Sequence, residues 1–125
     1  MHTYCGNLTE VILPDTVTSI GENAFYSCTS LQNIYVNDTD GQGYTSIDGV
    51  LYSYNQQSQK YTLEYYPYGR KDTSYTIHKN TSTINTEAFF RCENLEKIVF
   101  PKGVSVIGEN AGYTERTADI EKKCI

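Results

Sequence analysis

Apolar residues recur along this chain in blocks far longer than one helix or strand. Between Val17 and Val36 the run VTSIGENAFYSCTSLQNIYV sets Ile20, Ala24, Phe25, Cys28, Leu31 and Ile34 among polar residues. Between Thr81 and Phe100, TSTINTEAFFRCENLEKIVF repeats them as Ile84, Ala88, Phe89, Cys92, Leu95 and Ile98. Cys5 to Cys28, Leu8 to Leu31 and Ile84 to Ile107 all span the same interval, 23. The chain is therefore a repeat array, with the tail of an earlier unit at 5–14 and the head of a later one after 101. Units of this kind cannot bury their apolar faces alone, so neighbours must stack.

Within a unit, Leu8, Val11 and Leu13 are expected to face inward on a short strand, with Pro14 ending its ladder where a missing N–H is tolerable. Thr16 to Ile20 is β-branched and alternating, which predicts a second short strand on another face of the coil. Gly21 then lets the chain turn. Ala24, Phe25 and Cys28, at i, i+1 and i+4, give one apolar side over a single helical or 3₁₀ turn. The next strand is Leu31 to Val36. Phe25 and Phe89 are the largest apolar groups of their turns and are expected to be buried at equivalent places.

Residues 37–78 break the rhythm: the interval from Cys28 to Cys92 is 64, one period plus 41. The segment reads as one or two divergent units, since Ile47 to Leu51 echoes Ile20 to Ala24. Val50 to Tyr54 and Lys60 to Tyr66 are β-prone and flank Asn55 to Gln59, a polar loop of hairpin length. A β-hairpin is thus predicted in place of the helical turn. Eight of the twelve tyrosines fall here, at 44, 52, 54, 61, 65, 66, 68 and 75. Strands alternate their faces, so one set of rings packs inward and the other is left for solvent or a partner. Tyr52, Tyr54, Tyr66 and Tyr68, with Arg70 and Lys71 beside them, are the candidate partner-binding residues, because tyrosine offers large contact area with few torsions to immobilise. The competing explanation is that the rings only pair across the hairpin, at about 0.2 to 1 kcal/mol each.

The quoted stretches, with CGNLTEVILPDTVTSIG before them and CENLEKIVFPKGVSVIGENA after, resemble the BspA-like leucine-rich repeat, whose pattern runs LxxIxLPxxVTxIGxxAFxxCxx. The match is close over 5–36 and 75–111, and the period lies within the range of about 20 to 29 residues for leucine-rich repeats. SIDGVLYS and the following Tyr-Pro-Tyr-Gly run also resemble a longer insert unit of that family. The resemblance implies a surface-associated, often adhesive binding solenoid of anaerobic bacteria and mucosal protozoan parasites, located at the cell surface or secreted. The expected fold is a β-rich α/β solenoid: a leucine-rich repeat with short strands, short helical or 3₁₀ turns and one β-hairpin insert. As one domain it divides into a repeat tail at 5–14, a full unit at 15–36, the Tyr-rich hairpin unit or units at 37–78, a full unit at 79–101, a partial unit at 102–112 and a polar tail at 113–125.

Composition narrows the partners. At 125 residues with 38% hydrophobic content the chain is one domain with a modest core. No apolar run reaches the roughly 18 residues that span a bilayer, so no membrane insertion by this segment is expected. A net charge of −5, with ten basic residues scattered among fifteen acidic ones, argues against nucleic acid. MHTYCGNLTEVIL has no basic-then-apolar leader pattern, and it starts within a repeat, which suggests neighbouring repeats of a longer array. Three Asn-Xaa-Ser/Thr sequons, at Asn7, Asn37 and Asn80, carry little weight because the chain is rich in Asn, Ser and Thr.

No constellation for catalysis, metal or cofactor emerges. Cys5, Cys28 and Cys92 share one repeat position and are expected to stack inside the coils as reduced, inaccessible thiols. They lack the paired spacing of a zinc site. His2 and His78 have no orienting Asp for a Cys-His pair. In Asn37 to Gly43 a calcium-loop register would put Val36 and Ile47 at ligand positions, so an Asp/Gly turn explains it better. The reading is a non-enzymatic binding module for a protein or glycan ligand. The alternative is an architectural spacer whose ligand site lies elsewhere in the array; exposed tyrosines favour binding and buried ones the spacer.

Overall fold

The computed structural model describes residues 6–14, 16–17, 19–20, 25, 28–37, 43–67, 69–85, 88–89, 92 and 94–107. Nine strands run through them: β1 (Glu10–Pro14), β2 (Asn33–Asn37), β3 (Gly43–Ile47), β4 (Val50–Asn55), β5 (Lys60–Tyr65), β6 (Ser74–Thr76), β7 (Thr81–Ile84), β8 (Lys97–Val99) and β9 (Val106–Ile107). They form sheets ordered β1-β2, β3-β4-β5-β7-β9 and β6-β8.

The period read along the chain is the register of three of the four parallel ladders. Val11 pairs with Ile34, Tyr75 with Ile98 and Thr83 with Val106. Each pair is separated by that same period, so equivalent positions of successive units lie side by side and fill the same layer. Val11 and Leu13 turn partly inward while Ile12 between them points out, the alternation a one-sided strand requires. Leu8, expected inside, is exposed. It lies before the ladder begins at Glu10, so pleat alternation does not reach it.

The hairpin predicted over Val50–Tyr66 is β4 paired antiparallel with β5. Asn55 closes its loop, its Oδ1 accepting the N–H groups of Gln57 and Ser58, a local side-chain turn. A second hairpin precedes it, β3 with β4, joined by Asp48 and Gly49 at φ 54° and 82°. Two left-handed residues in a two-residue loop make a type I′ turn, for which Asp-Gly is a strong signal. The likeness of Ile47–Leu51 to a repeat turn had hidden it.

Two hydrophobic clusters result. One holds Cys28, Leu31, Ile34 and Leu51, with Ile20, Phe25 and Val36 packed against it. The other holds Val50, Tyr52, Leu63, Tyr66, Ile77 and the second full unit from Ile84 to Ile98. β4 lies in both: Val50, Leu51 and Tyr52 are all buried, with Leu51 in the first cluster and its neighbours in the second. A register shift between Leu51 and Tyr52 accompanies this two-sided burial.

Several expectations need correction. Among the described residues there is no helix, so the helical turns and the α/β character are not seen. Cys28 N–H donates to Phe25 C=O, and Cys92 N–H to Phe89 C=O, which makes single turns. The rest of each expected turn, 21–24 and 26–27 in the first unit and 86–87 and 90–91 in the second, lies outside the described residues. Thr81–Ile84 forms the expected second strand between β5 and β9, whereas the described part of Thr16–Ile20 forms none. There the Ile20 N–H is taken by the Tyr44 hydroxyl at 3.2 Å. The sulfurs are not alike either. Cys92 is a buried thiol, but Cys28 is disulfide-bonded, its partner lying outside the described residues, as do Cys5, Cys124 and the tail at 113–125. A rung spacing of about 5 Å falls within disulfide reach, so stacked positions do not forbid a bridge.

The two phenylalanines also differ. Phe89 is 2% exposed between Tyr66 and Tyr75, while Phe25 is only partly buried and stacks on Tyr65 at 5.4 Å. Phe89→Ala should therefore lower stability by about 3 to 5 kcal/mol, and Phe25→Ala by clearly less. Urea unfolding of both variants checks this order, and an equal loss would contradict it.

Candidate functional site

The tyrosine-rich segment was the expected contact surface, and its side chains separate into three sets. Tyr52 and Tyr66 are buried in the second cluster, at 0% and 1% exposure, not outward as the sequence reading had them. Each brings a polar tip into the core and therefore needs a partner there. The Tyr52 hydroxyl bonds that of Tyr75 and accepts the His78 N–H. The Tyr66 hydroxyl donates to Asp72 Oδ2 at 2.9 Å. Burial raises the pKa of all three tyrosines, helped for Tyr66 by the Asp72 charge and for Tyr75 by Tyr52. These phenols stay neutral, and their role is structural.

Arg70 was the second expectation the structure redirects. Its Nε donates to Asp72 Oδ2 at 2.7 Å, and its Nη1 reaches Asp48 O, Gln32 O and Asn33 Oδ1 at 2.8, 3.2 and 3.3 Å. The guanidinium carbon also lies 5.4 Å from the centre of the Tyr66 ring. One side chain thus ties β2, the Asp48-Gly49 turn and the strand-free segment before β6 together. A planar fork of fixed donors suits such divergent acceptors, which a lysine cannot match. Gly49 completes the junction. A Cβ there would meet Asn33 Oδ1 at 2.1 Å and Arg70 Nη1 at 2.8 Å, so a side chain would displace both groups of the junction, and the positive φ favours glycine on its own account. Burial alone would raise the Asp72 pKa, but the hydrogen bonds from Arg70 and Tyr66 and the Arg70 charge hold it below the ordinary value.

The third set keeps accessible surface. Tyr54 is half-buried and lies against Tyr61, ring centres 4.9 Å apart, and Tyr61 in turn meets His78 at 4.7 Å. Lys71 is exposed. Tyr68 lies outside the described residues. The sequence reading missed a different exposed group, Ile12 at 71% and Tyr35 at 40%, which are direct cross-strand partners on β1 and β2. Strand alternation does identify both as outward positions.

Among the described residues, no three His, Cys, Asp or Glu side chains gather as metal ligands, and no helix is long and apolar enough to cross a membrane. Parallel strands stacked in the register of the repeat, over buried Leu, Ile and Cys positions that recur from unit to unit, define a leucine-rich-repeat protein. The chain belongs to the BspA type leucine rich repeat region family, whose model matches residues 1–110 and 64–122. Three solved structures are similar to it. A leucine rich cell surface protein from Faecalibacterium prausnitzii is 36% identical over 83% of this chain and 26% of its own, with a TM-score of 0.73. The pneumococcal vaccine antigen PcpA is 32% identical over 84% and 25%, at 0.71. A leucine-rich repeat protein from Eubacterium ventriosum is 30% identical over 84% and 27%, at 0.70. The chain thus spans about a quarter of the length of each. No curated protein matches it.

Two outcomes follow from this junction. Arg70→Lys should cost about 1 to 3 kcal/mol in urea unfolding, because charge-assisted bonds at a 15% exposed side chain are lost. Little of that comes from the ion pair itself, since the Asp72 carboxylate is 39% exposed. An unchanged midpoint would remove Arg70 as a clasp.

The other outcome concerns acid. Burial, and secondarily Lys79, lowers the His78 pKa, and its Nδ1 accepts the Asn80 N–H, so the fold prefers neutral imidazole. The unfolded chain binds that proton first. The His78 contribution to stability is therefore intact above the ordinary value of 6.5 and lost as pH falls below it. The Asp72 contribution is likewise present above 3.8 and lost further down. Urea midpoints should drop between about pH 7 and pH 5 in the parent and be flatter there in His78→Gln.

Proposed function

We propose that this chain is a non-enzymatic binding segment of a cell-surface leucine-rich-repeat protein, acting in adhesion through a protein or glycan ligand. The cell-surface relative from F. prausnitzii supports the location. The observation that carries the binding role is the exposed Ile12–Tyr35 pair, two large apolar side chains side by side on a strand face whose other side already fills the core. An aromatic next to an aliphatic on a rigid strand is the composition of an interface centre. Of the residues first expected to bind, Tyr54 and Lys71 retain surface to contribute. In this proposal residues 1–125 form a single leucine-rich-repeat domain.

The architectural reading is favoured by one specific observation: Tyr52, Tyr66 and Arg70 serve the interior. If it holds, beads coated with the chain adhere to cultured epithelial cells no better than uncoated beads. If the binding reading holds, the coated beads adhere and Ile12→Ser/Tyr35→Ser reduces their retention about tenfold, the loss expected from removing an aromatic hot spot. The thermal midpoint should fall only slightly, by the small loss of one cross-strand pair. Loss of retention together with folding would overturn the assignment.

A further inference from the structure

The ladder that joins β6 to β8 fixes which way β6 presents its backbone. Ile77 N–H donates to Val99 C=O and Lys97 N–H to Thr73 C=O. In a parallel pair alternate residues face the partner, so 73, 75 and 77 turn toward β8. Ser74 and Thr76 turn their N–H and C=O groups the opposite way. On that side β6 has no strand partner among the described residues, and both residues are exposed.

The fold covers comparable groups elsewhere. At the outer edge of β2, Ile34 N–H goes to Gly49 C=O and Val36 N–H to Ser46 Oγ. Further along β6's own side, His78 N–H is taken by the Tyr52 hydroxyl. The stretch left open borders a cleft of about 340 Å³, lined by Ile47 and Asp48 and by Tyr75 to Lys79. That size lies at the small end of ligand pockets, about 300 to 1,000 Å³. It suits a side chain with flanking backbone rather than a folded domain.

We infer that this cleft binds an extended peptide segment of a partner protein, which adds a strand to β6 by pairing with the Thr76 N–H and C=O. Strand addition draws affinity from main-chain hydrogen bonds and specificity from the side-chain pockets beside them. Here Ile47 and Tyr75 supply the apolar floor. Asp48 and Lys79 are the cleft's acidic and basic lining residues. The complementary peptide therefore carries an apolar residue between a basic residue on the Asp48 side and an acidic one on the Lys79 side. A glycan lacks alternating amide donors and carbonyls and does not use this edge. The inference rests on the binding-module reading and names its partner class.

The probe is Ac-Lys-Thr-Val-Thr-Glu-NH2 in an array varied at its three central positions, tested against the full chain. The best array peptide should shift the Thr76 and Ser74 amide signals and slow exchange of the Thr76 amide. N-methylation of its central amides should weaken it by about tenfold or more, since the added strand loses its donors. Thr76→Pro should do the same, because it removes only the outward N–H, a place where an edge strand tolerates proline. The N-methyl comparison needs no variant and stands even if Thr76→Pro misfolds. No binding across the array at millimolar peptide, equal binding of the N-methylated peptide, or unchanged binding to a folded Thr76→Pro would each overturn the inference. So would glycan binding that displaces the peptide shifts, or self-association that Thr76→Pro abolishes. Should bead adhesion persist in Thr76→Pro while the peptide never binds, the module reading stands and the cleft assignment falls.

Discussion

β4 has to bury both of its faces, and much of the remaining structure answers that constraint. Leu51 completes the cluster of the first unit, while Val50 and Tyr52 complete that of the second. A strand covered on two sides has no solvent-facing row to absorb polar atoms, so the polar groups it does carry must be met inside. Tyr52 accordingly ends on the Tyr75 hydroxyl and the His78 N–H. Ser53, at the edge of the covered stretch, meets Glu64 across the hairpin at 2.6 Å. Burying three successive side chains removes apolar area from water at about 25 cal/mol per Å², and this joins two clusters that the regular repeat would link through a ladder.

What could be read from the chain alone follows the reach of each cause. Cys28, Leu31 and Ile34, and again Ala88, Phe89, Cys92, Leu95 and Ile98, are buried as the repeat pattern requires, because stacking makes each position see its own copy. The β4-β5 hairpin was legible from β-propensity flanking a polar loop. The β3-β4 hairpin was equally legible from Asp48-Gly49, yet the same residues fit a repeat turn, and one template displaced the other. Alternation separated the two faces of the hairpin but could not say that both would be covered. That depends on a contact between β2 and the Asp48-Gly49 turn, distant in sequence and made by the Ile34 N–H to Gly49 C=O bond together with Arg70.

The tyrosines show why composition misled the site. Enrichment in Tyr is shared by interfaces and by cores that must accommodate polar tips. Tyr66 contacts Phe89, Tyr75 and the Arg70 guanidinium at once, the surroundings of a core residue. Ile12 and Tyr35 were each unremarkable in the sequence, since single exposed apolar residues are common. They become informative as a pair, one repeat period apart in the sequence and side by side in the ladder. Such a pair is a property of the ladder, and the repeat period had to be combined with strand alternation to see it.

The same ladder sets the final constraint. Val11↔Ile34 before the insert and Tyr75↔Ile98 after it keep the register of the repeat, although β5 and β7 pair at the shorter interval of Leu63↔Ile84. The hairpins therefore return the chain in phase without being in phase themselves. Phase has to be restored between β5 and β6, where the chain leaves one sheet and enters another. There Gly69 N–H bonds Leu31 C=O and Tyr66 N–H bonds Ala88 C=O, one contact to the preceding unit and one to the following. Arg70 adds its fork to the preceding unit, and Asn94 Nδ2 donates to the Arg70 carbonyl from the following one. Tyr66, Gly69 and Arg70 thus take the place of a strand by bonding to both neighbours without forming a ladder. A repeat array can carry an irregular insert wherever such a segment is held on both sides, because the units beyond it sense only where the next strand begins.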